Sequence, residues 1–185
     1  MSLNIPTPHR IEELKAENNE VKTFKFQSVE IARASEPGQF VMVWNPGIDE
    51  IPISIACASH AGALDVAIAD VGDCTHSLHQ KHVGDWIGLR GPYGRGFRIK
   101  GGRMCMVAGG YGAAPLLFAA KRARELDAQV VVLEGARSSS ELLYEKEFVT
   151  LGCELRTATE DGSVGYKGTV TALLDAILAS GAEFE

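Results

Sequence analysis

The sequence predicts an antiparallel β-barrel followed by a doubly wound parallel α/β domain that stops half-way. Three observations carry this. Up to residue 98, apolar residues recur with period two between turns rich in Pro and Gly. Beyond residue 100 the pattern changes to alternating strand and helix, the signature of a parallel sheet. Between the two stands Gly91-Pro92-Tyr93-Gly94-Arg95-Gly96, with three glycines and a proline in six residues, which reads as a linker. The expected domains are therefore 1–100 and 101–185, the second incomplete at its C-terminus.

In the first half, Ile11 to Lys15 and Val21 to Gln27 read as a hairpin around Glu17-Asn18-Asn19, with Phe24 and Phe26 on one face. Glu36-Pro37-Gly38 has Pro and Gly where a type II turn wants them, and Phe40 to Trp44 leaves it as a strand. Asn45-Pro46-Gly47 closes that strand, and Pro52 to Ala56 begins another. Leu64, Val66 and Ile68 alternate with Asp65, Ala67 and Ala69 in a half-buried strand that ends at Val71-Gly72. Thr75 is placed to cap a short helix through Gln80, and Trp86 to Arg90 is the last barrel strand.

The second half is organised around residues 104–137. Met104 to Ala108 is a short apolar run suited to a strand covered on both faces. Gly109-Gly110-Tyr111-Gly112 follows, where glycines allow a sharp turn and let a ligand approach the backbone amides. The next helix then offers free N–H groups and its positive end to a phosphate, and Pro115 sits harmlessly in its first turn. Against the fingerprint Gly-x-Gly-x-x-Gly, Gly110 and Gly112 fit while Pro115 takes the third place. Gln129 to Leu133 is a second buried strand. Ser138 and Glu141 have capping-box spacing for a helix carrying Leu142, Leu143 and Phe148. Glu154 to Thr159 is a third strand, and a final helix places Val170, Leu173, Leu174, Ile177 and Leu178 on one stripe, which must cover a sheet. Three strands make half of a doubly wound domain. The usual strand order puts the fourth against Met104 to Ala108, so an open edge is expected there, needing a partner unless this sequence is a piece of a longer one.

Composition narrows the function classes. With 185 residues, 45% of them hydrophobic, the chain can build a real core, and its net charge of -6, with no basic cluster larger than Lys121-Arg122-x-Arg124, argues against nucleic acid. No apolar run approaches 18 residues and no signal-peptide pattern is present, so a cytoplasmic protein without a membrane anchor is expected. Met1-Ser2-Leu3 reads as an expression remnant. The cysteines at 57, 74, 105 and 153 form no C-x-x-C pair, and the cluster His76, His79 and His82 lacks an acidic partner; no metal site is expected, and His79 and His82 read as a solvated helix face.

Taken together and in order, five motifs resemble the ferredoxin–NADP reductase family. They are Pro37-Gly38-Gln39-Phe40-Val41 with Pro52-Ile53-Ser54-Ile55; Gly91-Pro92-Tyr93-Gly94; Ala108 to Leu116; Gly135-Ala136-Arg137; and Thr159-Glu160-Asp161-Gly162-Ser163 with Lys167-Gly168. Within that family they are most similar to the electron-transfer subunits of type B dihydroorotate dehydrogenase. The resemblance implies a barrel that binds FAD and an α/β domain that binds NAD. Pro52, Ile53 and Ser54 would line the isoalloxazine, with Ser54 as the catalytic candidate, its hydroxyl near flavin N5. Ile68, Ala69 and Asp70 would flank the ribityl chain and ring edge, and Gly72, Cys74 and Thr75 the diphosphate. Gly110, Gly112, Ala136, Arg137, Glu160 and Asp161 would bind the pyridine nucleotide, NAD rather than NADP because no basic cluster follows the second strand, where only Arg137 stands beside Ser138 to Ser140.

The same resemblance implies a catalytic dihydroorotate dehydrogenase subunit or another redox partner, in a hetero-oligomer or a homodimer. There are departures. Ile51 stands where the family has a diphosphate-binding arginine, and Cys74 where it has a glycine. The cysteines of the family's 2Fe–2S cluster, and the segment that carries them, are absent from this sequence. The alternatives are another reductase of the superfamily, such as a ferredoxin–NAD(P) reductase or sulfide dehydrogenase subunit, and a docking module that holds no flavin.

Overall fold

The computed structural model describes residues 5–184; Met1-Ser2-Leu3 lies outside them. The chain divides into two compact units between Phe97 and Arg98.

The first unit contains β1 (Thr7–Arg10), β2 (Glu13–Ala16), β3 (Val21–Gln27), α1 (Val29–Ala34), β4 (Phe40–Asn45), β5 (Asp49–Ala58), β6 (Ala63–Ala69), α2 (Asp73–His79) and β7 (Trp86–Tyr93). Its strands pair antiparallel in the order β1-β7-β4-β5-β6-β3-β2. The two edge strands are consecutive in the chain, so the curled sheet closes through a covalent corner. At that corner the Ile11 amide donates to Asp85 and the Glu12 amide to Lys25, both at 2.9 Å. The strand expected over Ile11 to Lys15 begins only at Glu13, with Ile11 buried at the bend that follows β1, a strand the sequence did not mark. Phe24, Phe26, Val41, Val43, Leu64, Val66 and Ile68 fill the interior, as the period-two alternation requires.

The local readings differ from the structure at several points. The stretch Gly91 to Gly96 is no free linker: Gly91-Pro92-Tyr93 continues β7, Tyr93 pairs with Phe40, and the Phe97 amide returns to the Pro37 carbonyl at 2.7 Å. Helix α1 gave no sequence signal because six residues with only Ile31 and Ala32 buried are too short for a helical stripe. Helix α2 has Gly72 at its N-cap position, Thr75 closes the capping box from the third helical position by accepting from the Gly72 amide, and the helix ends at His79. His79 is not a solvated side chain either, since its Nε2 lies 2.8 Å from the Ile68 carbonyl and its ring tilts against Phe24.

The second unit contains β8 (Arg103–Gly109), a 3-10 turn (Gly110–Gly112), α3 (Ala113–Arg124), β9 (Gln129–Ala136), α4 (Glu145–Thr150), β10 (Glu154–Thr159), β11 (Tyr166–Lys167) and α5 (Val170–Ala179). All its strands are parallel, in the order β11-β10-β9-β8. One sheet face buries Val131, Leu133 and Ala158 against Leu173 and Ile177 of α5. The α5 stripe is narrower than its spacing suggests, since Leu178 is 48% exposed. Gly135 sets how closely α5 approaches: a Cβ there would meet Val170 Cβ at 2.6 Å.

Strand β8 lies at the open edge, and its Val107 is 38% exposed, so it is not covered on both faces. Ser138 does not open a helix. Its hydroxyl pairs with that of Ser140, a 3-10 turn covers Ser139–Glu141, and α4 begins only after Tyr144, which adopts φ +61. The two-residue strand β11 is too short for any periodicity to mark. Among the described residues no helix is long and apolar enough to cross a membrane.

Candidate cofactor-binding sites

In the first unit, the outward faces of β5, β4 and β7 build one surface. Phe40 pairs with Ser54 on one side and Tyr93 on the other, so these three side chains form a row across three strands. The Phe40 and Tyr93 rings are 5.8 Å apart at a 41° tilt, an aromatic shelf beside the exposed Ser54 hydroxyl. Pro52, Met42 and Arg90 form the next row. Ile53 and Ile51 share the inward face of β5, opposite buried Val41 and Val43.

The β6–α2 turn borders the same unit. Ile68 is fully buried, Ala69 half-buried and Asp70 exposed with its Oδ2 3.1 Å from His76 Nδ1. Thr75 Oγ1 accepts from the Val71 and Gly72 amides and donates to the Gly72 carbonyl, each at 2.9 Å. That hydroxyl is therefore spent inside the turn. What the turn offers an anion are the amides of Asp73 and Cys74, which lack intrahelical partners in the first turn of α2. A Cβ on Gly72 would meet nothing within 4 Å beyond its chain neighbours, so the turn is open at Gly72 itself. The Cys74 side chain is buried, and burial pushes its thiol above the ordinary range, with the Asp49 carboxylate adding to the effect.

In the second unit the candidate residues gather at the C-terminal edge of the parallel strands, where open α/β sheets bind ligands. A Cβ added to Gly109, Gly110 or Gly112 would meet nothing within 4 Å, and Gly110 sits at φ +51. Gly109 pairs with Gly135, which places this turn beside the end of β9. There the Glu160 amide donates to the Ala136 carbonyl at 3.2 Å and the Asp161 amide to that of Arg137 at 3.1 Å. Ser163 ties the two loops together. Its hydroxyl accepts from the Ser139 amide at 2.8 Å and donates to Asp161 Oδ1 at 2.7 Å. These bonds from Ser163 hold the Asp161 carboxyl below its ordinary range. Arg137 pairs with Glu141 at 2.9 Å.

Two groups escaped the sequence reading. Arg90 makes a two-pronged ion pair with Glu50, both contacts at 2.6 Å, and reaches the Tyr93 hydroxyl at 3.2 Å. The Glu50 bond raises the guanidinium and lowers the carboxyl. Glu134 is completely buried in β9; its Oε1 accepts from the Leu143 amide at 2.5 Å and its Oε2 has no partner among the described residues. Burial pushes its carboxyl up to about 7, the Leu143 bond opposes this, and the Glu145 carboxylate reinforces it. A charge inside an apolar strand was the available signal for Glu134. For Arg90 none existed, since its partner is 40 residues away.

A curled seven-stranded antiparallel sheet followed by a glycine-turn parallel sheet is shared with solved structures. The chain superposes on the NADH-dependent reduced ferredoxin–NADP oxidoreductase with a TM-score of 0.84 and 28% identity, covering 95% of this chain and 64% of that one. It matches the flavohem-like FAD/NAD binding domain of nitric oxide dioxygenase from Vibrio cholerae O1 biovar El Tor with a TM-score of 0.73 and 17% identity, covering 95% and 94%. The chain shares the fold of the ferredoxin reductases. In sequence it is a homologue of the dihydroorotate dehydrogenase B (NAD(+)) electron transfer subunits. The probable subunit from Methanocella arvoryzae is 38% identical over 172 residues, which is 93% of this chain and 64% of that protein. The one from Methanothermobacter thermautotrophicus is 39% identical over 168 residues, 90% of this chain and 62% of its own length. The chain thus spans a little under two thirds of the curated relatives it matches. No family model matches it.

Proposed function

We propose that this chain is the FAD- and NAD-binding part of an electron-transfer subunit that passes electrons between NAD and a partner dehydrogenase oxidising dihydroorotate in pyrimidine biosynthesis. The observation that supports it most is the pair of glycine turns, at Gly72 and at Gly110, each with open space where a side chain would stand, each leading into a helix. Both are cradles for a diphosphate. Bound FAD would supply the exchange between hydride chemistry and single-electron transfer.

The chain's own residues bind and orient. In the 1–100 domain, Phe40 and Tyr93 form the shelf on which a flat ring rests, Pro52 and Ile53 carry the adjoining strand, and the Ser54 hydroxyl is held at its edge as a hydrogen-bond donor. Ala69 and Asp70 border the turn that receives the diphosphate on the Asp73 and Cys74 amides, with Thr75 bracing the turn from within. In the 101–185 domain, Gly110 and Gly112 cradle the NAD diphosphate. Ala136, Glu160 and Asp161 frame its ribose, and the Arg137–Glu141 pair occupies the cation that a 2′-phosphate would need, so NAD is preferred. The cysteines do not fit an iron–sulfur cluster: none of the four is in a disulfide, yet no three potential ligands gather among the described residues. Single electrons would pass to a centre outside these residues, in exchange with a catalytic partner subunit. We place the protein in the cytoplasm, in keeping with four cysteines outside any disulfide.

A titration followed by flavin fluorescence tests the reading. Saturable FAD binding at micromolar Kd or tighter is expected; failure to saturate at millimolar FAD would refute it and favour a docking module without cofactor.

A further inference from the structure

The second unit carries a cavity at the opposite, N-terminal edge of its sheet. It has a volume of about 340 Å³ and is lined by Arg103, Gln129 and Glu154 at the starts of β8, β9 and β10, by Arg124 from the end of α3, and by Gly152. Two guanidinium groups face it, and neither has a carboxylate partner among the described residues. Arg103 stacks 5.1 Å above the Phe184 ring. Arg124 is fixed by its backbone contacts, with Nε donating to the Leu151 carbonyl at 3.0 Å and Nη1 to the Ala128 carbonyl at 2.6 Å. Its Nη2 is left over. The glycine at 152, at φ +75, keeps the approach to that nitrogen clear, since a Cβ there would already stand 3.3 Å from it. The one carboxylate in the lining, Glu154, is bonded to Arg156 at 2.6 and 2.8 Å.

Arg103 and Arg124 thus bring two guanidiniums without carboxylate partners among the described residues into one concave site. A guanidinium held by carbonyls on one side presents its remaining N–H groups as a fork, the geometry that matches a phosphate. We infer that this cavity binds a phosphate dianion, as free phosphate or as the phosphate group of a small metabolite, at a site separate from both glycine turns.

Inorganic phosphate and glycerol 3-phosphate, each against chloride at constant ionic strength, test the inference through the thermal unfolding midpoint of the 185-residue chain. Each is expected to raise the midpoint saturably. The Arg103→Gln substitution should raise the half-saturating concentration about tenfold or more, as expected for losing charge-assisted hydrogen bonds. The Glu154→Gln substitution should lower it by removing a like charge. A lower half-saturation for the ester identifies a metabolite site, and equal values identify a site for the bare dianion; both support the inference. A response that saturating NADH abolishes, or that Arg103→Gln leaves unchanged, would assign phosphate to the glycine turn and overturn the inference. A failure of NADH to bind would count against the nucleotide reading alone, because the Arg103 and Glu154 comparisons do not depend on it.

Discussion

Replacing Glu134 by Gln should stabilise the second unit at alkaline pH and leave it nearly unchanged at acid pH. The carboxyl titrates near 4.5 in an unfolded chain and at about 7 in the fold, where burial dominates. Below pH 4.5 both states hold the proton and there is no penalty. Between 4.5 and 7 the unfolded chain releases the proton while the folded chain keeps it, so stability falls as pH rises. Above 7 both are ionised and the full cost of a buried carboxylate is present, on the order of 3 kcal/mol at about 1.4 kcal/mol per pH step. Glutamine keeps the carbonyl that accepts from Leu143 and carries no charge. It should gain about 1–3 kcal/mol over wild type at about pH 8, less the cost of an unpaired amide, with the gap closing toward about pH 5. Both tryptophans, Trp44 and Trp86, belong to the first unit, so tryptophan fluorescence would miss this transition. Urea unfolding followed by far-UV circular dichroism, which sees α3 and α5, is the suitable assay. Parallel pH profiles for the two proteins would refute the reasoning.

Three further outcomes follow from the sites. Gly110→Ala places a methyl in the open cradle at φ +51; a stability loss of about 1 kcal/mol and at least a roughly tenfold rise in NADH Kd by calorimetry are expected. Ser54→Ala leaves the Phe40–Tyr93 shelf intact, so FAD affinity should change less than about threefold while stopped-flow flavin reduction by NADH slows about tenfold or more. Gly135→Ala drives a Cβ to 2.6 Å from Val170 and should destabilise the second unit by about 1–3 kcal/mol in the same urea assay, with FAD binding unchanged.

What was legible in the sequence was whatever repeats locally. Val21–Gln27 and Glu154–Thr159 have the boundaries their periodicity gives, because each strand turns one apolar face to a core and ends at a turn. The glycine turn before α3 was legible for the same reason, since an apolar run, glycines and a helical stripe follow one another without a gap. Features made by distant partners were not. Tyr93 reads as part of a linker until Phe40 is seen to pair with it, and Ile11 reads as the start of a strand until Asp85 and Lys25 are seen to take the Ile11 and Glu12 amides at the bend. Thr75 shows the limit most sharply: residue type and position are right for an anion site, yet the hydroxyl is consumed by Val71 and Gly72. Sequence names the residues near a site, and hydrogen-bond accounting decides which atoms remain available there.

The most direct test of the central claim is the visible absorption spectrum of the FAD-reconstituted protein, recorded without air before and after NADH is added. A flavin double band that bleaches with NADH is the predicted result, since it requires both glycine turns to hold their nucleotides. A band that does not bleach would contradict the proposed NAD site, and a protein that retains no flavin after desalting would contradict the account as a whole.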